Sequence, residues 1–185
     1  DGGKGGTMVI RSMGSAGEPQ ATNDPENFRL HFEGRAVFKI AVQGISASAA
    51  RVLERAGLTA DDVDLVVPHQ ANARIIDSAT RRLGIEAGRV FVNITDLGNT
   101  AAASIPMALS DALDAGRISP GDTVVLTAFG GGVTWGSIAL TWGNRTEPVG
   151  VHEGELPPTD MTSMDLLRQN LDFYAPLHAN DPPIG

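Results

Sequence analysis

The stretch Val63-Asp64-Leu65-Val66-Val67 is apolar at four of its five positions, over a length that suits a strand and falls short of a helix. A strand wetted on one side would alternate apolar with polar residues. A near-continuous run belongs instead to a parallel strand covered on both faces. The run 123–128 (Thr-Val-Val-Leu-Thr-Ala) has the same character. A chain carrying two such strands must place helices on both sides of a sheet.

The intervening segments can supply those helices. Residues 36–56 read as a long helix whose inward stripe is Val37, Ile40, Ala41, Gly44, Ile45, Ser48, Val52 and Leu53, with Gly57 as its left-handed stop. A helical stretch follows His69 and closes at Gly84. A small-residue helix spans 101–115 and ends at Gly116. Residues 7–13, 28–32 and 90–92 read as further strands, and 96–100 as a turn. The last strand, 133–142, follows Phe129-Gly130-Gly131-Gly132 and is antiparallel to 123–128 if the two form a hairpin. The fold class expected is α/β, a mixed sheet between helices with right-handed crossovers.

Composition narrows the functions. Fourteen basic against twenty-two acidic side chains give a net charge of -8, which disfavours nucleic acid as a partner. No uninterrupted run of about 18 apolar residues suggests a membrane span. No apolar segment near Asp1 suggests a secretory leader. With no cysteine, the chain has no disulfide, thiolate zinc site or Cys nucleophile of its own. The histidines lack paired ligand spacing, so no metal is expected. Two units are expected, 1–142 and 143–185. The second is an acidic extension holding six of the eleven prolines, with a short helix capped by Thr162-Ser163 and marked by Met164, Leu167 and Leu171.

In an open α/β sheet, ligands sit at the carboxyl ends of strands. Three candidates fall there: His69, Asn99 and the triple glycine 130–132. At a strand-to-helix junction a neutral imidazole can donate one Nε2 hydrogen bond to a developing oxyanion, since the positive helix end disfavours its protonation. An Asn amide is a second uncharged donor. The glycines lack the Lys and Ser or Thr of a phosphate cradle, and fit better as backbone that lets N–H groups face a carbonyl.

Four segments carry a resemblance. They are Gly34-Arg35-Ala36-Val37-Phe38-Lys39-Ile40-Ala41-Val42, Pro68-His69-Gln70-Ala71-Asn72-Ala73-Arg74-Ile75-Ile76, Gly98-Asn99-Thr100-Ala101-Ala102-Ala103-Ser104-Ile105-Pro106 and Ala128-Phe129-Gly130-Gly131-Gly132-Val133-Thr134-Trp135-Gly136-Ser137. In order, they resemble β-ketoacyl-acyl-carrier-protein synthase III, of the thiolase superfamily, in its C-terminal half only. The resemblance implies a thiolase-like layered fold. It also implies an acyltransferase that joins an acyl-CoA starter to malonyl-acyl-carrier protein by decarboxylative Claisen condensation, as in the initiation of fatty acid synthesis. The Cys nucleophile would lie in an N-terminal half that this chain does not contain.

By the same resemblance, His69 and Asn99 are the catalytic pair and Gly131 contributes an oxyanion-hole N–H. Gly34, Asn72 and Phe129 border the coenzyme A or phosphopantetheine site, and Lys39, Arg74, Arg81 and Arg82 dock the acidic carrier protein. No cofactor is implied beyond coenzyme A thioester and phosphopantetheine as substrates. A cytoplasmic homodimer is implied, partnered by the missing half and the carrier protein. Two alternatives stay open: an acyltransferase or polyketide-type ketosynthase of the same fold, and a non-catalytic partner subunit.

Overall fold

The computed structural model describes residues 2–10, 30–147, 149–150, 160–162, 164–165 and 167–168. In chain order the elements are β1 (Met8–Ile10), β2 (Leu30–Phe32), α1 (Gly34–Ala56), β3 (Leu65–Pro68), α2 (Ala73–Arg82), α3 (Ile94–Leu97), α4 (Ser104–Asp114), β4 (Thr123–Gly130) and β5 (Thr134–Thr141). β1 and β2 pair antiparallel as a separate ribbon, with Val9 opposite His31. In the main sheet β3 pairs parallel with β4, and β4 pairs antiparallel with β5. The mixed sheet and the hairpin therefore form as the sequence suggests.

All four residues of β3 are buried, and their side chains alternate between two cores. Val66, with Val125 of β4, packs among Ala49 and Leu53 of α1 and Ile76 of α2. Leu65 and Val67, with Val124, pack against Ala108 and Ala112 of α4. The sheet is thus a middle layer, and its apolar runs have no water-facing side. A third cluster unites Val37, Ala41 and Ile45 of α1 with Ile75 and Ala79 of α2 and with Phe129 and Val133. It floors the end of the sheet where the candidate residues lie.

α1 buries Val37, Ala41, Gly44, Ile45, Ser46, Ala49 and Leu53, leaving Ile40, Ser48 and Val52 only partly covered. Gly57 at φ 69° ends it in the left-handed region. With an 18-residue window of mean hydropathy 1.3, α1 is long and apolar enough to cross a membrane by length and composition. In this fold its apolar stripe covers the sheet. The lack of an uninterrupted apolar run therefore does not by itself exclude a helix of that length and composition.

Several boundaries differ from those the sequence suggests. The described part of the first strand is Met8–Ile10, after a 3₁₀ segment Gly2–Thr7. The described part of the second is Leu30–Phe32. β3 starts at Leu65, two residues late, because Asp64 is spent on the strand's entry: its N–H donates to Thr123 O and its carboxylate accepts from the Thr123 N–H. β4 continues through Phe129 to Gly130, which pairs with Thr134, so Gly131, Gly132 and Val133 form the hairpin turn and β5 starts one residue later than expected.

Residues 90–92 are not a strand. Val90 makes one isolated parallel bridge to Val66, and beyond it the side chain of Gln70 takes the place of a ladder. Gln70 Nε2 donates to Phe91 O and Gln70 Oε1 accepts from the Asn93 N–H. Within the expected turn 96–100, residues through Leu97 belong to the one-turn helix α3. The expected helix 101–115 begins at Ser104, after a 3₁₀ turn Ala101–Ala103. Ala101 stands at φ 50°, a conformation that costs an L-residue about 1–2 kcal/mol.

In the extension, Asp165 Oδ2 accepts from Thr162 N–H and Oγ1, and the Asp165 N–H donates to Thr162 Oγ1. That is the reciprocal cap of a helix start. Met164 and Leu167 are exposed there. Leu171 lies outside the described residues.

Candidate active site

His69 follows β3 directly. Its N–H donates to Thr127 O at 2.8 Å, which continues the β3–β4 ladder one residue past the strand and holds the ring at the sheet's end. Ring Nδ1 lies 2.9 Å from Ser104 Oγ, and the same Oγ accepts the Gln70 N–H at 2.6 Å. The ring is half-buried, and loss of solvent lowers its pKa from the ordinary 6.5. The same loss of solvent favours the neutral ring.

Asn99 follows Gly98, whose φ of 69° turns the chain out of α3. Its Oδ1 accepts the Ala101 N–H at 3.0 Å. This short loop holds the amide and accompanies the positive φ at Ala101. With Oδ1 engaged, Nδ2 remains as the donor end of the side chain.

His69 and Asn99 line one cleft of about 750 Å³, together with Gly34, Phe38, Asn72, Arg74, Phe129 and Gly130. A second, more open cavity of about 450 Å³ shares His69, Ala101, Phe129 and Gly130 with it and extends to Ala128, Trp135 and Gly136. His69 thus stands where two cavities meet. Asn72 caps α2, its Oδ1 accepting from the Arg74 N–H, so only its amide NH₂ is left for the cleft. Gly34 opens α1, and an added Cβ would come no nearer than 3.9 Å to the Phe32 ring; no close approach there requires glycine.

Gly131 lies one residue beyond the part of β4 that lines the cleft. It is exposed, and its carbonyl accepts from Thr134 Oγ1. Of the four basic residues expected to dock the carrier protein, Arg74 alone borders the cleft, with its guanidinium 5.9 Å from the Phe38 ring centre, and Arg35 lines the cleft beside it. Arg81 is paired with Asp77 at 2.8 Å on the exposed face of α2. Lys39 and Arg82 are exposed and have no ion-pair partner among the described residues.

Sequence reasoning gave no part to Ser104 or Gln70, both about 1% exposed. Ser104 holds the ring of His69. Gln70 ties the chain after β3 to residues 91–93, with Nε2 also donating to Pro68 O. A polar Gln directly after His69 at a strand's end was the available signal for the second.

The description "3-Oxoacyl-[acyl-carrier-protein (ACP)] synthase III C terminal" matches residues 53–142. The chain is 45% identical over 141 residues to β-ketoacyl-[acyl-carrier-protein] synthase III 2 of Vibrio cholerae, covering 76% of this chain and 39% of that protein. It is 53% identical over 114 residues to the synthase III of Symbiobacterium thermophilum, covering 62% and 34%. The chain therefore spans less than half the length of these relatives.

Among solved structures, the synthase III of Thermus thermophilus superposes with a TM-score of 0.69 at 46% identity, over 78% of this chain and 44% of that one. The priming β-ketosynthase of the R1128 polyketide pathway superposes with a TM-score of 0.69 at 35% identity, over 78% and 43%. By sequence and by fold, residues 53–142 match the C-terminal domain of the 3-oxoacyl-[acyl-carrier-protein] synthase III family.

Proposed function

We propose that this chain supplies the malonyl-handling half of a ketosynthase III, which condenses an acyl-CoA starter with malonyl-acyl-carrier protein to initiate fatty acid synthesis. The observation that carries the reading is the meeting of His69 and Asn99 at one cleft at the end of β3. Decarboxylation breaks the C–C bond to the malonyl carboxylate and leaves the electron pair on an enolate. His69 Nε2–H and Asn99 Nδ2–H donate to the enolate oxygen. Both donors are neutral, so the charge is stabilised as it develops without a proton being consumed.

The enolate carbon then attacks the acyl carbonyl of a thioester held on a Cys of the other half. That Cys leaves as thiolate, and the 3-oxoacyl thioester remains on the carrier. The Gly131 N–H supports the oxyanion of that second step. Gly34, Asn72 and Phe129 flank the pantetheine arm, while Lys39, Arg74, Arg81 and Arg82 meet the acidic carrier protein. No cofactor or metal takes part. A cytoplasmic homodimer belongs to the same proposal.

The likeness to a polyketide priming ketosynthase favours one second reading, the same condensation serving a polyketide starter. A non-catalytic subunit fits less well, because it would have no use for the His69–Asn99 pair.

Mixing the chain with its Cys-bearing half tests the proposal. The pair should release CO₂ from malonyl-carrier protein and form the 3-oxoacyl product, and the chain alone should form none, since no thiol can hold the starter. Condensation by the chain alone, or none by the pair, would refute it.

A further inference from the structure

We propose that Ser104 is a positioning residue that fixes the tautomer of His69, so that Nε2 carries the proton presented to the cleft. A backbone N–H can only donate, so the 2.6 Å contact from Gln70 N makes Ser104 Oγ an acceptor. The hydroxyl keeps one hydrogen, and the recorded partner left for it is His69 Nδ1 at 2.9 Å. If Nδ1 carried a proton, it too would donate to Oγ, and a hydroxyl hydrogen on a side chain 1% exposed would have no acceptor. Buried polar hydrogens are rarely left that way. The hydroxyl therefore donates to a bare Nδ1, and the ring proton is on Nε2.

The position of Ser104 makes this a built arrangement. It is the first residue of α4, 35 residues beyond His69, and it reaches the turn after β3 only because α4 covers that face of the sheet. An imidazolium would need the hydroxyl to turn away from Nδ1, so the same contact opposes protonation and acts in the direction of the ring's desolvation.

The importance of the tautomer rests on the oxyanion-donor reading of His69, but its measurement does not. Long-range ¹H–¹⁵N correlation spectra of the uniformly labelled chain at pH 8, with His69 assigned by its loss in His69→Gln, report each ring nitrogen separately. The wild type should show a protonated Nε2 and a bare Nδ1 with widely separated shifts. In Ser104→Ala the two shifts should move toward each other as tautomers mix, and Ser104→Thr should restore the separation. If the alanine variant fails to fold, Ser104→Cys, a weak donor of similar size, must show the same movement. A protonated Nδ1 in the wild type, or variant shifts identical to it, would overturn the proposal. A protein that decarboxylates nothing would leave these spectra unchanged.

Discussion

The side chain of Gln70 accepts the backbone N–H of Asn93 at 3.1 Å, joining the turn that carries His69 to the segment that leads to Asn99. The same amide donates to Pro68 O and Phe91 O. Asn93 in turn donates from Nδ2 to Asp111 Oδ2 of α4. The Gln70 amide thus links two segments, and the Asn93 amide ties the second of them to α4.

Replacing Gln70 with Leu should keep most of the volume and strand the Asn93 N–H and two carbonyls in the interior. Buried groups left unpaired cost about 1–3 kcal/mol each, and partial relaxation should hold the sum to about 2–4 kcal/mol. Urea unfolding measures it. A loss below 1 kcal/mol would mean that water or relaxation satisfies these groups.

Gly44 of α1 has no room for a methyl group: an added Cβ would lie 2.8 Å from Trp135 Cδ2 and 2.9 Å from Cγ. Alanine is preferred over glycine inside a helix by about 1 kcal/mol. The overlap should nevertheless make Gly44→Ala a net loss of about 1–2 kcal/mol. Adding Trp135→Ala should remove the penalty, so a double-mutant cycle should show strong coupling. Because Trp135 lines the open cavity beside His69, the single variant should also change that ring's fluorescence.

Desolvation lowers the His69 pKa, so its ring should titrate by NMR with a midpoint below 6.5. The sign for stability follows from proton binding. Above 6.5 the ring is neutral in both states and contributes nothing. Below it the unfolded chain binds the proton first, so stability falls with falling pH until the folded ring also titrates. His69→Gln should flatten the stability curve across that window. A steeper acid loss in the variant would contradict the assignment.

Arg82 offers a cleaner test of carrier docking than Arg81. Arg81→Glu would set two acidic groups at i, i+4 beside Asp77, a helix cost of a few tenths of a kcal/mol. Arg82→Glu should weaken use of carrier-linked malonate and spare a small malonyl thioester, and the defect should shrink as salt rises. Equal, salt-independent loss for both substrates would point to a disturbed helix.

The layered fold was legible because its signals are local: apolar runs at 63–67 and 123–128, helical periodicity between them, and glycine stops at Gly57, Gly84 and Gly116 with φ from 63° to 77°. The placement of His69 followed from the end of β3. The sequence puts Asn99 beyond a strand at 90–92, but that strand is only one isolated bridge, and Asn99 reaches the same crevice through α3 and the loop after it. Lost from view were the features made by contacts across the chain. Gln70 replaces the ladder at 90–92 from more than 20 residues away, and the Asn99 loop delays α4 by bending Ala101. Ser104 looks like any small helix-start residue until α4 is laid against β3. Periodicity describes how a segment faces the core, and says nothing of which distant polar group it meets.

Most direct for the account as a whole is His69→Ala in the protein reconstituted with its Cys-bearing half, with malonyl decarboxylation and acylation of that Cys measured separately. Loss of one oxyanion donor should slow CO₂ release by about 10²–10³-fold and leave Cys acylation within a few-fold of the unmodified protein. Equal losses in both steps, or full-rate CO₂ release, would contradict the role assigned to His69.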